Sequence, residues 1–252
     1  MQPLSLVLIT HNAASQLPAC LTSARDLAND IVVVDSGSND ETVTIAQAAG
    51  ARVTHQPFLG FGPQKRLAVS LAQHDWVLCL DADERLTPEL VASIRHTLQN
   101  PTYSAYRFAR RNRFFGRYLA HGEAYPDWNL RLFDRRQANW SEDAVHEKVV
   151  AQGDVGTVNG DLLHDSAEDL ATYLAKQNRY TDTQADMLFA AGKRASIGKL
   201  IGSPLARFIR YYIVRRGFMD GSAGFAHIAI GSFFAFVKYA KLMERWRQAG
   251  RR

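Results

Sequence analysis

The sequence predicts an α/β fold, a mostly parallel sheet with helices on both faces, continued by a C-terminal helical extension. Three observations predict it. Wholly apolar runs of strand length alternate with helical stretches through the first half of the chain. Polar residues gather directly after those runs, where open parallel sheets bind their ligands. The charge is divided: residues 1–192 carry 17 Lys and Arg against 23 Asp and Glu, and residues 193–252 carry 13 against 2. With 46% hydrophobic and 22% charged residues in 252, the chain can bury a sizeable core and is not disordered.

LSLVLIT (residues 4–10) is the first strand, followed by a helical stretch at 17–27 and a second strand, IVVVD, at 31–35. Residues 42–49 read as a helix, 51–55 as a third strand, 64–73 as a helix and WVLCL (76–80) as the fourth strand. Thr87 caps a helix that has Pro88 in its first turn and runs to about residue 99. From 103 to 164 the pattern changes to aromatic and β-branched segments broken by turns, which implies partly antiparallel strands completing the domain. Ser166 and Asp169 have capping-box spacing ahead of a long helix over 167–191. The expected division is a catalytic domain at 1–165 and a helical, basic extension at 166–252.

Two cysteines, Cys20 and Cys79, rule out a disulfide-stapled fold and lack metal-ligand spacing, so a reducing compartment is expected. MQPLSLVLITHN has no basic n-region and too short an apolar run for an ordinary secretion signal.

Chemistry gathers at three strand ends: Thr10-His11-Asn12, Asp35-Ser36-Gly37-Ser38 and Asp81-Ala82-Asp83. Carboxylates at i and i+2 past a buried strand can hold a hard divalent cation together with substrate phosphates. A bare Asp-x-Asp is equally a capping loop. The small residues after Asp35 offer N–H groups and hydroxyls to a ribose or phosphate, and the glycine pattern of a dinucleotide fingerprint is absent.

LITHN, VVVDSGSNDET and WVLCLDADE, in this order, resemble the family 2 glycosyltransferases of GT-A (Rossmann-like nucleotide-binding) fold. PDWNLRLFDR, AVHEKV, YLAKQNRYT and YYIVRRGFMDGSAGF are similar to the lipopolysaccharide-core branch, which includes β-1,4-glucosyltransferases acting on inner-core heptose. The resemblance implies a metal-dependent, inverting transfer of a sugar, glucose from a UDP-linked donor in that branch, to a lipopolysaccharide-core or other glycolipid acceptor. It implies that Thr10, Asn12, Asp35, Ser36 and Lys65 line the nucleotide pocket, with Ala82 in the loop between the two aspartates. It further implies that Asp81 meets the ribose or donor sugar and that Asp83 ligates Mn2+ or Mg2+. Lys65 reads equally well as a solvated lysine. His164, at the end of DLLH, is a candidate further ligand that would favour manganese, and Arg131 in NLRLF a candidate phosphate or acceptor contact. The base that takes the acceptor proton is either Glu147, in the Val-His-Glu segment, or Asp143, in the Glu-Asp pair.

Arginines and aromatics alternate at 205–216, and residues 221–237 carry no formal charge and are followed by Lys238, Lys241, Arg245 and Arg247. Seventeen residues are at the lower limit for crossing a bilayer, and Ser222, His227 and Ser232 weaken that reading. The expectation is a protein of the cytoplasm, peripheral at the cytoplasmic face of the inner membrane. Its tail would meet an anionic membrane surface or pack in a homo-oligomer, and no nucleic-acid module is visible. The competing readings are a nucleotidyltransferase, which would show a glycine-rich basic loop after the first strand, and a non-catalytic sugar-nucleotide-binding scaffold.

Overall fold

The computed structural model describes residues 1–143, 147–165 and 169–250. They form two compact units, Met1–Asn112 with Asp127–Asp165, and Arg113–Pro126 with Ser166–Arg252.

In the first unit, β1 (Leu4–Thr10), α1 (Leu17–Ala24), β2 (Asp30–Asp35), α2 (Thr42–Ala48), β3 (Arg52–His55), α3 (Phe61–Ser70) and β4 (Trp76–Asp81) alternate as the apolar runs require. β5 (Glu84–Leu86) and α4 (Pro88–Thr97) follow, and Thr87 Oγ1 accepts from Leu90 N at 3.3 Å. The later strands are β6 (Ala105–Phe114), β7 (Arg117–Tyr118), β8 (Asp127–Asp134), β9 (Ala138–Trp140), β10 (Val149–Ala151) and β11 (Val155–His164).

The main sheet runs β3-β2-β1-β4-β8-β6-β11-β5, with β7 attached to β6 and with β9 and β10 paired separately. β1 to β4 are mutually parallel, β8 is antiparallel to both β4 and β6, and β11 runs parallel to β6. Both faces are covered. Leu4, Leu6 and Leu8 of β1 pack with Leu17, Leu90 and Ile94 on one side, while Val7 packs with Val34, Ala68 and Val77 on the other. The parallel order of β2, β1 and β4 brings Asp35, Thr10 and Asp81 to one sheet edge.

The second unit contains α5 (Leu170–Ala190), α6 (Ile197–Phe208), a π-helical turn (Ile209–Val214), a 3₁₀ turn (Gly217–Asp220) and α7 (Gly221–Ala249). α5 and α6 both pack on α7. Asp169 caps α5 through Thr172 N at 2.7 Å, and Ser166, the other half of the expected capping box, lies outside the described residues. Residues 113–126 belong to this unit because its side chains hold them. Buried Asp220 accepts from Ala120 N, His121 N and His121 Nδ1 at 2.8–3.0 Å, Arg207 pairs with Glu123, and Arg215 donates to Tyr125 O.

Candidate active site

The turn after β4 is built around a carboxylate that the sequence reading passed over. Glu84 is fully buried; its Oε2 accepts from Asp81 N at 3.0 Å and its Oε1 pairs with Arg131 at 2.8 Å and Arg110 at 3.3 Å. Arg131, on β8, also reaches the Asp81 carboxylate at 2.6 Å. It is 4% exposed and serves Asp81 and Glu84 as a buried counter-ion. Burial alone would push the Asp81 carboxyl up. The Arg131 and Lys65 charges, with a hydrogen bond from each, outweigh it and hold the carboxyl well below the ordinary carboxylate range.

Lys65 also lies inside rather than in solvent. α3 reaches it there because its first turn meets residues 141–143 closely: Gly62 N donates to Asp143 O, and a Cβ at Gly62 would sit 2.4 Å from both Asp143 O and Ser141 O. From that turn Lys65 Nζ bridges Asp81 at 3.0 Å and Glu147 at 2.8 Å, and it stands 4.4 Å above the Trp140 ring. The Trp140 indole N–H points to Cys79 Sγ at 3.4 Å, and burial pushes that thiol up to about 11, leaving it a packing group. Of the two candidate bases, Glu147 is mostly buried on Lys65. Asp143 is exposed, and its neighbour Glu142 comes only within 3.9 Å of Arg66. His146 lies outside the described residues.

Strand register delivers His164. It stands opposite Glu84 on β5 and Asn112 on β6, so its ring reaches both Asp83 and the Asn112 side chain. Asp127 accepts from Asn112 Nδ2 at 3.4 Å, which turns Asn112 Oδ1 toward His164 Nδ1 at 2.7 Å. A carbonyl there requires the imidazole proton on Nδ1. Nε2 lies 3.1 Å from Asp83 Oδ2, a gap closed by a second imidazole proton or by a shared cation. Two acceptors at that distance repel unless a proton or cation lies between them. Ligands about 2.1 Å from one octahedral cation stand about 3.0 Å apart on a shared edge, so the pair fits a divalent ion. The nitrogen–oxygen set suits manganese as well as magnesium. Among the described residues no group of three or more His, Cys, Asp or Glu surrounds a common point.

The loop after β2 differs. Asp35 is buried and accepts from Thr10 Oγ1 at 2.9 Å, Gly37 N at 2.9 Å, Ser38 N at 2.8 Å and Ser38 Oγ at 2.5 Å. Burial raises its carboxyl, but the bonds from Ser38, Thr10 and Gly37 bring it below the ordinary value. Asn12, at φ +50°, donates its N–H to Ser38 Oγ and accepts from Asn39 N, and Ser36 Oγ accepts from buried Gln64 at 3.1 Å. Thr10, Asn12, Asp35 and Ser36 thus form one cross-linked rim beside β4. Ala82, half-buried, packs against the core beneath the turn. The residues missed from sequence are Glu84, Asn112, Asp127 and Trp140. Of these only Glu84, directly after the Asp-x-Asp, carries a local signal.

The family model described as Glycosyl transferase family 2 matches residues 5–151. An uncharacterized glycosyltransferase of Rickettsia bellii is 30% identical, covering 96% of this chain and 86% of the relative. The lipopolysaccharide core biosynthesis glycosyltransferase LpsC of Rhizobium meliloti is 32% identical, covering 96% and 93%. Among solved structures, glucosyl-3-phosphoglycerate synthase from Mycobacterium tuberculosis, in complex with Mn2+, UDP and glucosyl-3-phosphoglycerate, is 24% identical with a TM-score of 0.37. That match covers 44% of each chain.

Proposed function

The chain belongs to glycosyl transferase family 2, and from that premise we propose that it transfers a hexose with inversion from a nucleotide-diphosphate donor to a glycolipid acceptor of the lipopolysaccharide-core kind. UDP-glucose is the donor we favour, and Mn2+ or Mg2+ the cofactor. The observation that carries the reading is the facing Asp83–His164 pair, two residues past Asp81, which Lys65 joins to Glu147. LpsC, similar over nearly the whole chain, supports the acceptor class.

Asp83 and His164 would hold the cation, which when bound offsets the charge growing on the departing diphosphate. Asp81, fixed by Lys65 and Arg131, presents an ionised acceptor to donor hydroxyls at neutral pH. Glu147, held by Lys65, takes the proton from the attacking acceptor hydroxyl as the glycosidic oxygen bond forms on the face opposite the leaving group. The rim of Thr10, Asn12, Asp35 and Ser36 shapes the nucleotide side.

Thermal shift against nucleotide sugars with and without manganese tests the donor and metal together, since a ligand of the folded state raises the midpoint by mass action. A shift for UDP-glucose that requires the metal, followed by glucose transfer to lipopolysaccharide-core acceptor, is the expected result. Metal-independent binding, or transfer of the nucleotidyl group, would overturn the proposal.

A further inference from the structure

α6 and the π-helical turn after it carry Ile197, Ile201, Leu205, Ile209 and Ile213 at every fourth position, each between 47% and 68% exposed. Such spacing sets side chains in neighbouring turns of one helix side. Gly198, Gly202 and Ala206, also exposed, lie beside the row, so this outer side has no polar group from Ile197 to Ile209, about 18 Å of axis, and exposed Arg210 takes the next place beside it. The side turned to α7 holds Leu200, Ser203, Pro204, Arg207 and Phe208, all half-buried. α6 buries no residue fully. α7 is different. It is long and apolar enough to cross a membrane by length and composition, yet one face from Ala223 to Leu242 is buried within the unit.

The charge around the row selects what covers it. Residues 193–219 contain seven Lys and Arg and no Asp or Glu. Arg207 is paired with Glu123, whereas Lys193, Arg194, Lys199, Arg210, Arg215 and Arg216 are exposed. A second copy docked face to face would bring these cations against their own kind. A nucleic acid would satisfy the cations but give five aliphatic side chains nothing to pack on. An anionic bilayer surface takes both: headgroups meet the cations while the aliphatic row enters the acyl boundary.

We propose that the outer face of α6, from Ile197 to Ile213, is an in-plane docking surface for anionic lipid. This deepens the glycolipid reading of the acceptor, and the binding itself requires no sugar transfer.

The test uses the full chain with sedimented vesicles of phosphatidylethanolamine and phosphatidylglycerol, against vesicles of phosphatidylcholine alone. The wild type should pellet with the anionic vesicles and keep a measurable bound fraction at 500 mM NaCl, where the Debye length falls to about 4 Å and the apolar part carries the binding. Changing Ile201, Leu205 and Ile209 together to Gln should lower partitioning at least about tenfold, with an unchanged thermal midpoint and unchanged donor binding. Changing Lys193, Lys199 and Arg210 to Gln should weaken binding only at low salt, by about fivefold for each engaged charge. Wild-type protein that stays in the supernatant, or a Gln triple variant that binds like wild type, overturns the proposal. So does a lipid-free dimer in light scattering that the same triple variant dissolves, which would make the face a contact between copies. Retained vesicle binding alongside failed sugar transfer would leave this surface standing and remove the glycolipid reading.

Discussion

At the end of β2, the oxygens of Asp35 are spent within the chain on Thr10, Gly37 and Ser38. At the end of β4, Asp81 is held by the two cations Lys65 and Arg131, and Asp83 stands 3.1 Å from His164 Nε2. Both clusters follow a buried parallel strand and both look alike as sequence. The first is closed: four hydrogen bonds fill a carboxylate's capacity, so its work is to fix the loop. The second is open: Asp83 and His164 stand side by side, and Glu147 is held by a lysine. A strand-end carboxylate is therefore read by what satisfies it, and the comparison predicts that the β4 cluster fails in activity while the β2 cluster fails in stability.

The largest effect should come from Glu147. Glu147→Gln keeps the shape and one acceptor for Lys65 but removes the base, so turnover with saturating acceptor should fall about 10²–10⁴-fold while donor KM holds. Asp143→Asn, on an exposed carboxylate, should change turnover little. The reverse ranking in steady-state kinetics would move the base to Asp143 and break the assignment of the open cluster. Asp83→Asn comes next. It should cost roughly 10²–10³-fold in turnover, abolish the manganese dependence of nucleotide binding, and leave the thermal midpoint near wild type. A large loss of stability instead would place Asp83 with the closed cluster.

The strands, helices and their parallel order were legible because apolar runs such as LSLVLIT and WVLCL bury on both faces, and caps such as Thr87-Pro88 mark their own helix. Asp81, Asp83, His164 and Glu147 stand out by motif and position. What they touch does not. Trp140 meets Lys65 only because β9 lies against α3, and Asn112 meets His164 only through the β6–β11 register; neither contact has a signature along the chain. The partners of Arg131 were hidden for the same reason: an arginine on a strand shows its charge in the sequence, but not that Glu84 waits beneath it.

Asp35→Asn should be smaller in activity and larger in stability than either change above. The amide keeps one acceptor for Thr10 and Ser38 Oγ, but sets its own N–H groups toward the N–H groups of Gly37 and Ser38. Leaving buried donors without acceptors costs about 1–3 kcal/mol, so the chemical denaturation midpoint should fall with the slope unchanged. Turnover at saturating donor should remain within about threefold of wild type, a change of about 0.65 kcal/mol in the barrier, because the Asp35 oxygens are engaged within the loop. A collapse of kcat with native stability would show Asp35 working as an open site.

The smallest effect is on acid stability, and its sign follows from the same bonds. The carboxyl of Asp35 lies below its ordinary value near 3.8 in the folded chain, because Ser38, Thr10 and Gly37 donate to the ionised form more strongly than burial opposes it. The folded state therefore releases this proton at a pH where the unfolded chain still holds it. Stability from this group is complete above the unfolded value and is lost as pH falls through the folded one. Between those limits the unfolded state binds more protons, so stability rises with pH by the uptake of at most one proton. Asparagine has no such proton. The thermal midpoint of Asp35→Asn, lower than wild type at pH 6, should therefore fall less steeply below pH 4, and the two curves should converge. Parallel curves in differential scanning calorimetry down to pH 2.5 would mean that the loop does not hold Asp35 as an ion. The closed cluster would then owe its shape to Asn12 and Gln64 instead.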